Sequence, residues 1–303
     1  MSVFHSGSRH NVAYVAEVTA GTTPPSPEMT QVPVASVNIT PTKDVFNDPS
    51  IRSDRSIRFQ RHGNVHVAGD LETAYEHGVY DDFLAAALHG TWTSNVLKQA
   101  AVKTTFTIER GYTDIAVPFY QRLTGVHVTA FKMDVPVNDV VKAHYTLMGM
   151  GQTSASSALD STPTIPTGKA PMTHLSGTFL EAGSAVGNIT AISIDINNGY
   201  NENFVLGSSS PAAMTYGYAK VTGQLTVYFD SAAMYNKFIN ETATSISFEV
   251  NDGQGNTHTW SLPNVKFNGM SMPVNNDQAV IASIPFVALY DSVTGTAVQV
   301  TRS

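Results

Sequence analysis

The segment Val67-Ala68-Gly69-Asp70-Leu71 returns later in the chain as Val221-Thr222-Gly223-Gln224-Leu225, with valine, glycine and leucine at the same spacing. Each copy sits in a period-two pattern. In the first, Val65, Val67 and Leu71 share a face opposite His66, Asp70 and Glu72. In the second, Val221, Leu225, Val227 and Phe229 oppose Thr222, Gln224 and Thr226. Such alternation is the mark of a half-buried strand. A glycine at the centre of both marks a bend or a close approach of neighbouring backbone.

The match extends outward. Tyr80-Asp-Asp-Phe-Leu-Ala-Ala-Ala-Leu88 comes after the first copy, and Met234-Tyr-Asn-Lys-Phe-Ile-Asn240 after the second. Both read as short helices with an apolar face. Strands come next at 104–109 and 245–250. Pro136-Val-Asn138 and Pro273-Val-Asn275 then precede an apolar closing strand in each half. Four elements recur in one order. The sequence therefore predicts a mainly β, α+β chain built from two duplicated β-sandwich or half-barrel domains, each with one short helix. The boundaries expected are an N-terminal arm at 1–30, a first domain at 31–150, a Ser/Thr/Pro-rich linker or arm at 151–187 and a second domain at 188–303. Within these, 41–56 reads as a long loop, 119–124 as a helical turn, and 296–302 as an added edge strand.

Composition narrows the function. The 303 residues are 42% hydrophobic but only 14% charged, against the quarter usual for globular chains. Such a chain hides surface in an assembly or carries a Ser/Thr/Asn-rich solvated surface. The net charge of −7 argues against a nucleic-acid grip, which needs Lys and Arg on phosphates. With no cysteine, disulfides and thiolate chemistry are excluded. No apolar run approaches the ~20 residues of a membrane span, so membrane insertion is not expected. The polar first eleven residues lack a signal core, so synthesis in a cytoplasm is expected.

Candidate chemistry is sparse. His62 and His66 share a strand face, but only Asp70 offers a third metal ligand, and exposed strand histidines explain them as well. Asp81 and Asp82 open a helix, where its dipole favours carboxylates. Asn275, Asn276 and Asp277 lack calcium-loop spacing and read as a turn. Trp92 and Trp260 are either a sugar platform or core. No catalytic, cofactor or metal site is expected, and no nucleophile–base set converges.

In order, Ala13-Tyr-Val-Ala-Glu17, Gly21-Thr-Thr-Pro24, Ile51-Arg-Ser-Asp-Arg55, Val67-Ala-Gly-Asp-Leu71, Tyr80-Asp-Asp-Phe83, Gly90-Thr-Trp92, Val221-Thr-Gly-Gln-Leu225, Leu262-Pro-Asn-Val265 and Ile284-Pro-Phe-Val-Ala-Leu-Tyr290 together resemble the tail tube proteins of long, non-contractile-tailed bacteriophages. The resemblance implies a structural virion protein whose stacked rings form a hollow tube. That tube houses a tape-measure protein, meets tail terminator and distal tail proteins, and passes double-stranded DNA without holding it. It also implies about four strands per domain in a continuous barrel and six domains per ring. Three two-domain chains, or six if only one half lines the tube, would then close it. About 24 strands at ~4.8 Å, tilted ~40°, give a diameter of roughly 45–50 Å. Asp70, Glu72 and Gln224 are the expected lumen-facing residues, and 1–30 and 151–187 the expected contacts between rings. The competing expectation, of another class, is a glycan-binding adhesive module using Trp92 or Trp260.

Overall fold

The computed structural model describes residues 4–51, 53–175, 177–274 and 277–303. The first half contains β1 (Asn11–Ala16), β2 (Thr30–Val32), β3 (Ser36–Asn47), β4 (Gln60–Ala74), α1 (Asp81–Ala87), β5 (Val96–Lys98), β6 (Phe106–Tyr112), β7 (Phe119–Pro136), β8 (Lys142–Gly149) and β9 (Gly151–Ala155). The second contains β10 (Phe179–Glu181), β11 (Ser184–Ala185), β12 (Ile189–Asn197), β13 (Asn201–Asn203), β14 (Ala213–Thr215), β15 (Lys220–Tyr228), α2 (Ala233–Ile239), β16 (Thr244–Asn251), β17 (Thr257–Phe267), β18 (Ile281–Ala288) and β19 (Gln299–Arg302). The fold is mainly β and sandwich-like, as the alternation predicts.

One sheet organises the molecule. Its eight strands run β3-β4-β8-β7-β12-β15-β18-β17, all antiparallel. The first four come from one half and the last four from the other, and β7 against β12 joins them. Two further sheets cover one face, β2-β1-β6-β7-β9 and β11-β10-β16-β17-β19-β5. Strands β7 and β17 each belong to both layers. In β7 the crossing falls at Gly125, whose φ of +62° suits glycine. The Glu17 carboxylate fixes this bend by accepting the Gly125 N–H at 2.9 Å.

The core runs through the joint. Phe83 stacks on Phe106, with centroids 5.0 Å apart, and Phe131 packs on Tyr145 at 5.1 Å. On its other side Phe131 lies parallel to Trp260 at 5.8 Å, and Trp260 continues to Phe248. Each aromatic pair adds about 0.5–1.5 kcal/mol beyond area burial. Further contacts tie the halves. The Tyr75 hydroxyl meets His258 Nδ1 at 2.6 Å, Tyr200 meets His89 at 2.9 Å, and Arg302 pairs with Asp81.

Several segments depart from expectation. Residues 41–47 are strand, not loop. Pro41 is tolerated because it lies on the outer strand of the sheet, where within the subunit its missing N–H costs no ladder bond. Residues 119–124 open an eighteen-residue strand, in which Gln121 and Leu123 point inward by period two. The segment 1–30 is no free arm. Residues 11–16 pair along β6, and Val12 and Met29 are buried. The stretch 151–187 supplies β9, β10 and β11 and buries Met172, and Asp160 accepts the Met29 N–H at 3.0 Å. The C-terminal β19 lies between β17 and β5, not at an edge. Backbone pairing ties down these apparent linkers because each completes a covering sheet. No helix among the described residues is long and apolar enough to cross a membrane.

Candidate functional site

The two glycines of the recurring segment set how the big sheet ends. A Cβ on Gly69 would lie 1.9 Å from the Asn38 carbonyl oxygen, and one on Gly223 would lie 2.3 Å from that of Ser193. Asn38 C=O therefore points at β4 and Ser193 C=O at β15. Successive carbonyls alternate along a strand, so Val37 and Ile39 point away from β4, and Ile192 and Ile194 point into β7. The residues correspond: Ile39 stands opposite Gly69 as Ile194 stands opposite Gly223. At β12 these groups meet a strand. At β3 they face the open edge of the sheet.

Only one side chain reaches that edge among the described contacts. Arg110 on β6 donates from Nη1 to the Ile39 carbonyl at 2.8 Å and from Nη2 to that of Val37 at 3.3 Å. It also donates to Gln121 Oε1 at 3.2 Å and to His10 Nε2 at 3.4 Å.

The opposite end of the sheet is formed by β17 and the segment 268–274. Phe286 faces Phe267 as Leu147 faces Val128. One extra residue comes next in each case, so that Ser271 bridges Ser283 as Lys132 faces His144. Met270, Met272 and Val274 thus take the places of Phe131, Met133 and Val135. Their counterparts in β7 face Ile196, Ile194 and Ile192. In the second half no strand among the described residues lies beyond them. Val274 is 75% exposed, whereas its counterpart Val135 is buried in the joint.

The uncovered face of the big sheet is polar. Asp70 and Glu72 on β4 and Gln224 on β15 all lie on it, and all three are exposed. Asp70 accepts from His144 Nε2 at 3.0 Å and Thr146 Oγ1 at 2.9 Å, and Gln224 bonds Ser283. The face is not purely acidic, because the same alternation places lysines on it. Asp70, Glu72, Asp134 and Asp195 share it with Lys132, Lys142, Lys220 and Lys266. Lys132 is held by Asp134 at 3.0 Å and Lys142 by Asp139 at 2.7 Å. Burial pushes the Asp195 carboxyl above its ordinary pKa.

The remaining candidates scatter. His66 is bound by Glu202 and by Asp44 at 3.2 Å, and no group of three or more metal-ligating side chains occurs among the described residues. Asp81 pairs with Arg302, and Asp82 accepts from the Tyr14 hydroxyl at 2.9 Å. Trp260 is fully buried. The ring of Trp92 is covered by the Arg302 guanidinium, 4.5 Å from its centroid, so the two tryptophans form no platform. Asn275 and Asn276, and Arg52 of the Ile51–Arg55 string, lie outside the described residues. Sequence reasoning missed Arg110. Its one signal was a cation at an inward position of a strand, between Ile108 and Tyr112.

No curated protein sequence matches the chain. A family model described as phage tail tube protein matches residues 7–288.

Proposed function

The chain belongs to the phage tail tube protein family, and from that premise we propose that three copies close each ring of the tube. Membership makes it a structural component of the virion tail that assembles with itself. The stoichiometry is argued from one observation. The two halves of each eight-stranded sheet repeat one strand order and register, so that β3 answers to β12, and residues 270–274 answer to 131–135 of β7, the two sides of the internal joint. Residues 270–274 of one copy pair with β3 of the next in that register. Val274 then stands opposite Val37, Met272 opposite Ile39 and Met270 opposite Pro41. A head-to-tail contact of this kind closes a ring. Three such sheets make the roughly 24 strands whose barrel would pass a duplex.

The second helix supports the same closure. The first half covers α1 with the second, through Asn198 donating to the Ala87 carbonyl at 2.9 Å and through Arg302. In contrast α2 buries no residue completely, and nearby Tyr235, Phe229 and Ile239 are 38%, 41% and 56% exposed. The next copy's first half covers this helix. We assign the polar face with Asp70, Glu72 and Gln224 to the lumen, around the tape-measure protein and later the DNA.

Contacts between rings fall to the outer part of the β3–β4 hairpin, together with the exposed stretches of 1–30 and 151–187. The strands of the hairpin continue past β8, and Phe46, Phe59 and Ile57 at its tip are 59%, 61% and 69% exposed. The tail terminator and distal tail proteins meet the ends of the stack, and the subunit is made in the host cytoplasm.

Electron microscopy of the tail tube with mass counted per ring tests the stoichiometry. Three chains per ring is the expected result. Six would leave one half as external decoration and end the two-domain reading.

A further inference from the structure

Arg110 is an unusual residue to bury. It is 8% exposed, and no carboxylate pairs with it among the described residues. Burying a charge without a counter-ion is costly unless hydrogen bonds compensate. Here the compensation is the Val37 and Ile39 carbonyls, the Gln121 side chain and the His10 ring. Burial pushes the guanidinium below its ordinary pKa, in keeping with that cost.

The second half shows what stands there when the edge is filled. Phe106 faces Val126 and Ile108 faces Leu123, just as Thr244 faces Val265 and Ile246 faces Leu262, with a register shift at the same step. Arg110 opposite Gln121 therefore corresponds to Phe248 opposite Trp260. At the filled joint the carbonyls of Ile192 and Ile194 are directed into β7, and the position beside them holds an aromatic pair stacked within 5° of parallel. At the open edge the same carbonyls lack a strand, and the position holds a guanidinium that bonds both.

We propose that Arg110 is a releasable cap on the assembling edge. In the free subunit it occupies the two carbonyl oxygens that a second copy needs. Ring closure replaces it with backbone N–H groups of that copy's 270–274 segment. An open strand edge invites pairing with any other strand. The cap lowers that tendency until the correct segment, with its matching register, displaces the guanidinium. The inference rests on the three-chain ring proposed above.

Two structures test it, the free full-length subunit and the assembled tube. In the subunit, Arg110 should bond Val37 and Ile39. In the tube, both oxygens should accept from the next copy and the guanidinium should have left them. A tube in which β3 pairs with 270–274 while Arg110 keeps both bonds overturns the cap and leaves the ring standing. A tube in which β3 pairs with nothing overturns the ring itself, and the cap with it.

The assembly threshold adds an independent reading. Arg110→Met keeps the length of the stem and removes the donors. The subunit concentration needed for assembly should fall about tenfold, the worth of roughly one charge-assisted hydrogen bond. An unchanged threshold in a folded Arg110→Met subunit overturns the proposal. Should that variant fail to fold, Arg110→Lys keeps the charge but not the fork that spans two carbonyls. Its threshold should fall about threefold, and no fall would overturn the proposal equally.

Discussion

β3 and β12 hold the same place in their halves, yet β12 is covered by β7 and β3 is covered by no described strand. Both pair on one side with the glycine-centred strand, at Gly69 and Gly223. Their inward neighbours differ. Beside β12 stand Phe248 and Trp260, while beside β3 stand Arg110 and Gln121. The difference teaches that one geometry serves two uses. Where the partner strand is part of the chain, the position is apolar and packed for good. Where the partner must arrive, the position is polar and its bonds can be exchanged.

The sharpest way to break this comparison is to make one substitution in both places. Proline at Val37 removes an N–H that faces the open edge, on the strand where Pro41 already sits. Val37→Pro should therefore fold but fail to form rings, as sedimentation and thermal melting of the same sample would reveal. Proline at Ile192 removes an N–H that β7 uses. Ile192→Pro should cost about 3–5 kcal/mol, from roughly 1–3 for the β7 carbonyl left unpaired and about 2 for lost packing. Equal losses of stability at both sites would mean that β3 is not an open edge in the subunit.

A second pair separates core from contact. Trp260 bridges the halves between Phe131 and Phe248, so Trp260→Ala should lose about 3–5 kcal/mol. Met272, half-buried at the other end of the sheet, should behave differently. Met272→Ala should cost the subunit only about 1 kcal/mol, since its side chain is half-buried, while raising the concentration needed for assembly. Urea titration gives the first quantity and light scattering the second.

Much of this was legible in the sequence, and the reasons are physical. Two-residue alternation around Gly69 and Gly223 exposes the core faces directly, and 81–87 and 233–239 carry short apolar helical faces. The pinned segments were hidden because their pairing is with distant strands. Nothing local in Gly21-Thr-Thr-Pro-Pro-Ser-Pro27 shows that 11–16 lies along β6. Pro41 misled for the opposite reason, since proline argues against a strand unless the strand is known to lie at an edge. The lysines of the lumenal candidate face were present in the sequence, but only the pairing of four separate strands brings them beside Asp70 and Glu72. Arg110 could not be found without the register, because its partners are backbone carbonyls and carry no residue signature.

Acid should loosen the contacts between halves. Burial holds His258 down to about 3 and His89 down to about 4, and both bond tyrosines across the halves. Each is neutral when folded and takes a proton on unfolding below its ordinary value of 6.5. Stability is therefore fully present above that value and is lost as pH falls from 6.5 towards 4 for His89 and towards 3 for His258. The loss is on the order of 1–2 kcal/mol for each histidine by pH 5. Replacing His258 with Gln should flatten the slope in chemical denaturation measured between pH 7 and pH 5. A slope unchanged by the replacement would remove this histidine from the account.

The polar face assigned above to the lumen offers the smallest effect, because it would concern passage, not closure. Lys132 and Lys142 already stand there, each held by a carboxylate, beside Lys220 and Lys266, so the face starts with four cations balanced by Asp70, Glu72, Asp134 and Asp195. Asp70→Lys with Glu72→Lys adds two unpaired cations in every chain and removes two carboxylates. Neither residue touches the open edge, since both point to the uncovered face, so tubes should form at the usual concentration. DNA leaving such a tail should slow, and the slowing should fade as salt rises, because phosphate contacts release counter-ions. Ejection at two ionic strengths separates the outcomes. A delay that salt does not relieve would point to a narrowed bore. No delay would place Asp70 and Glu72 on a surface that DNA never meets.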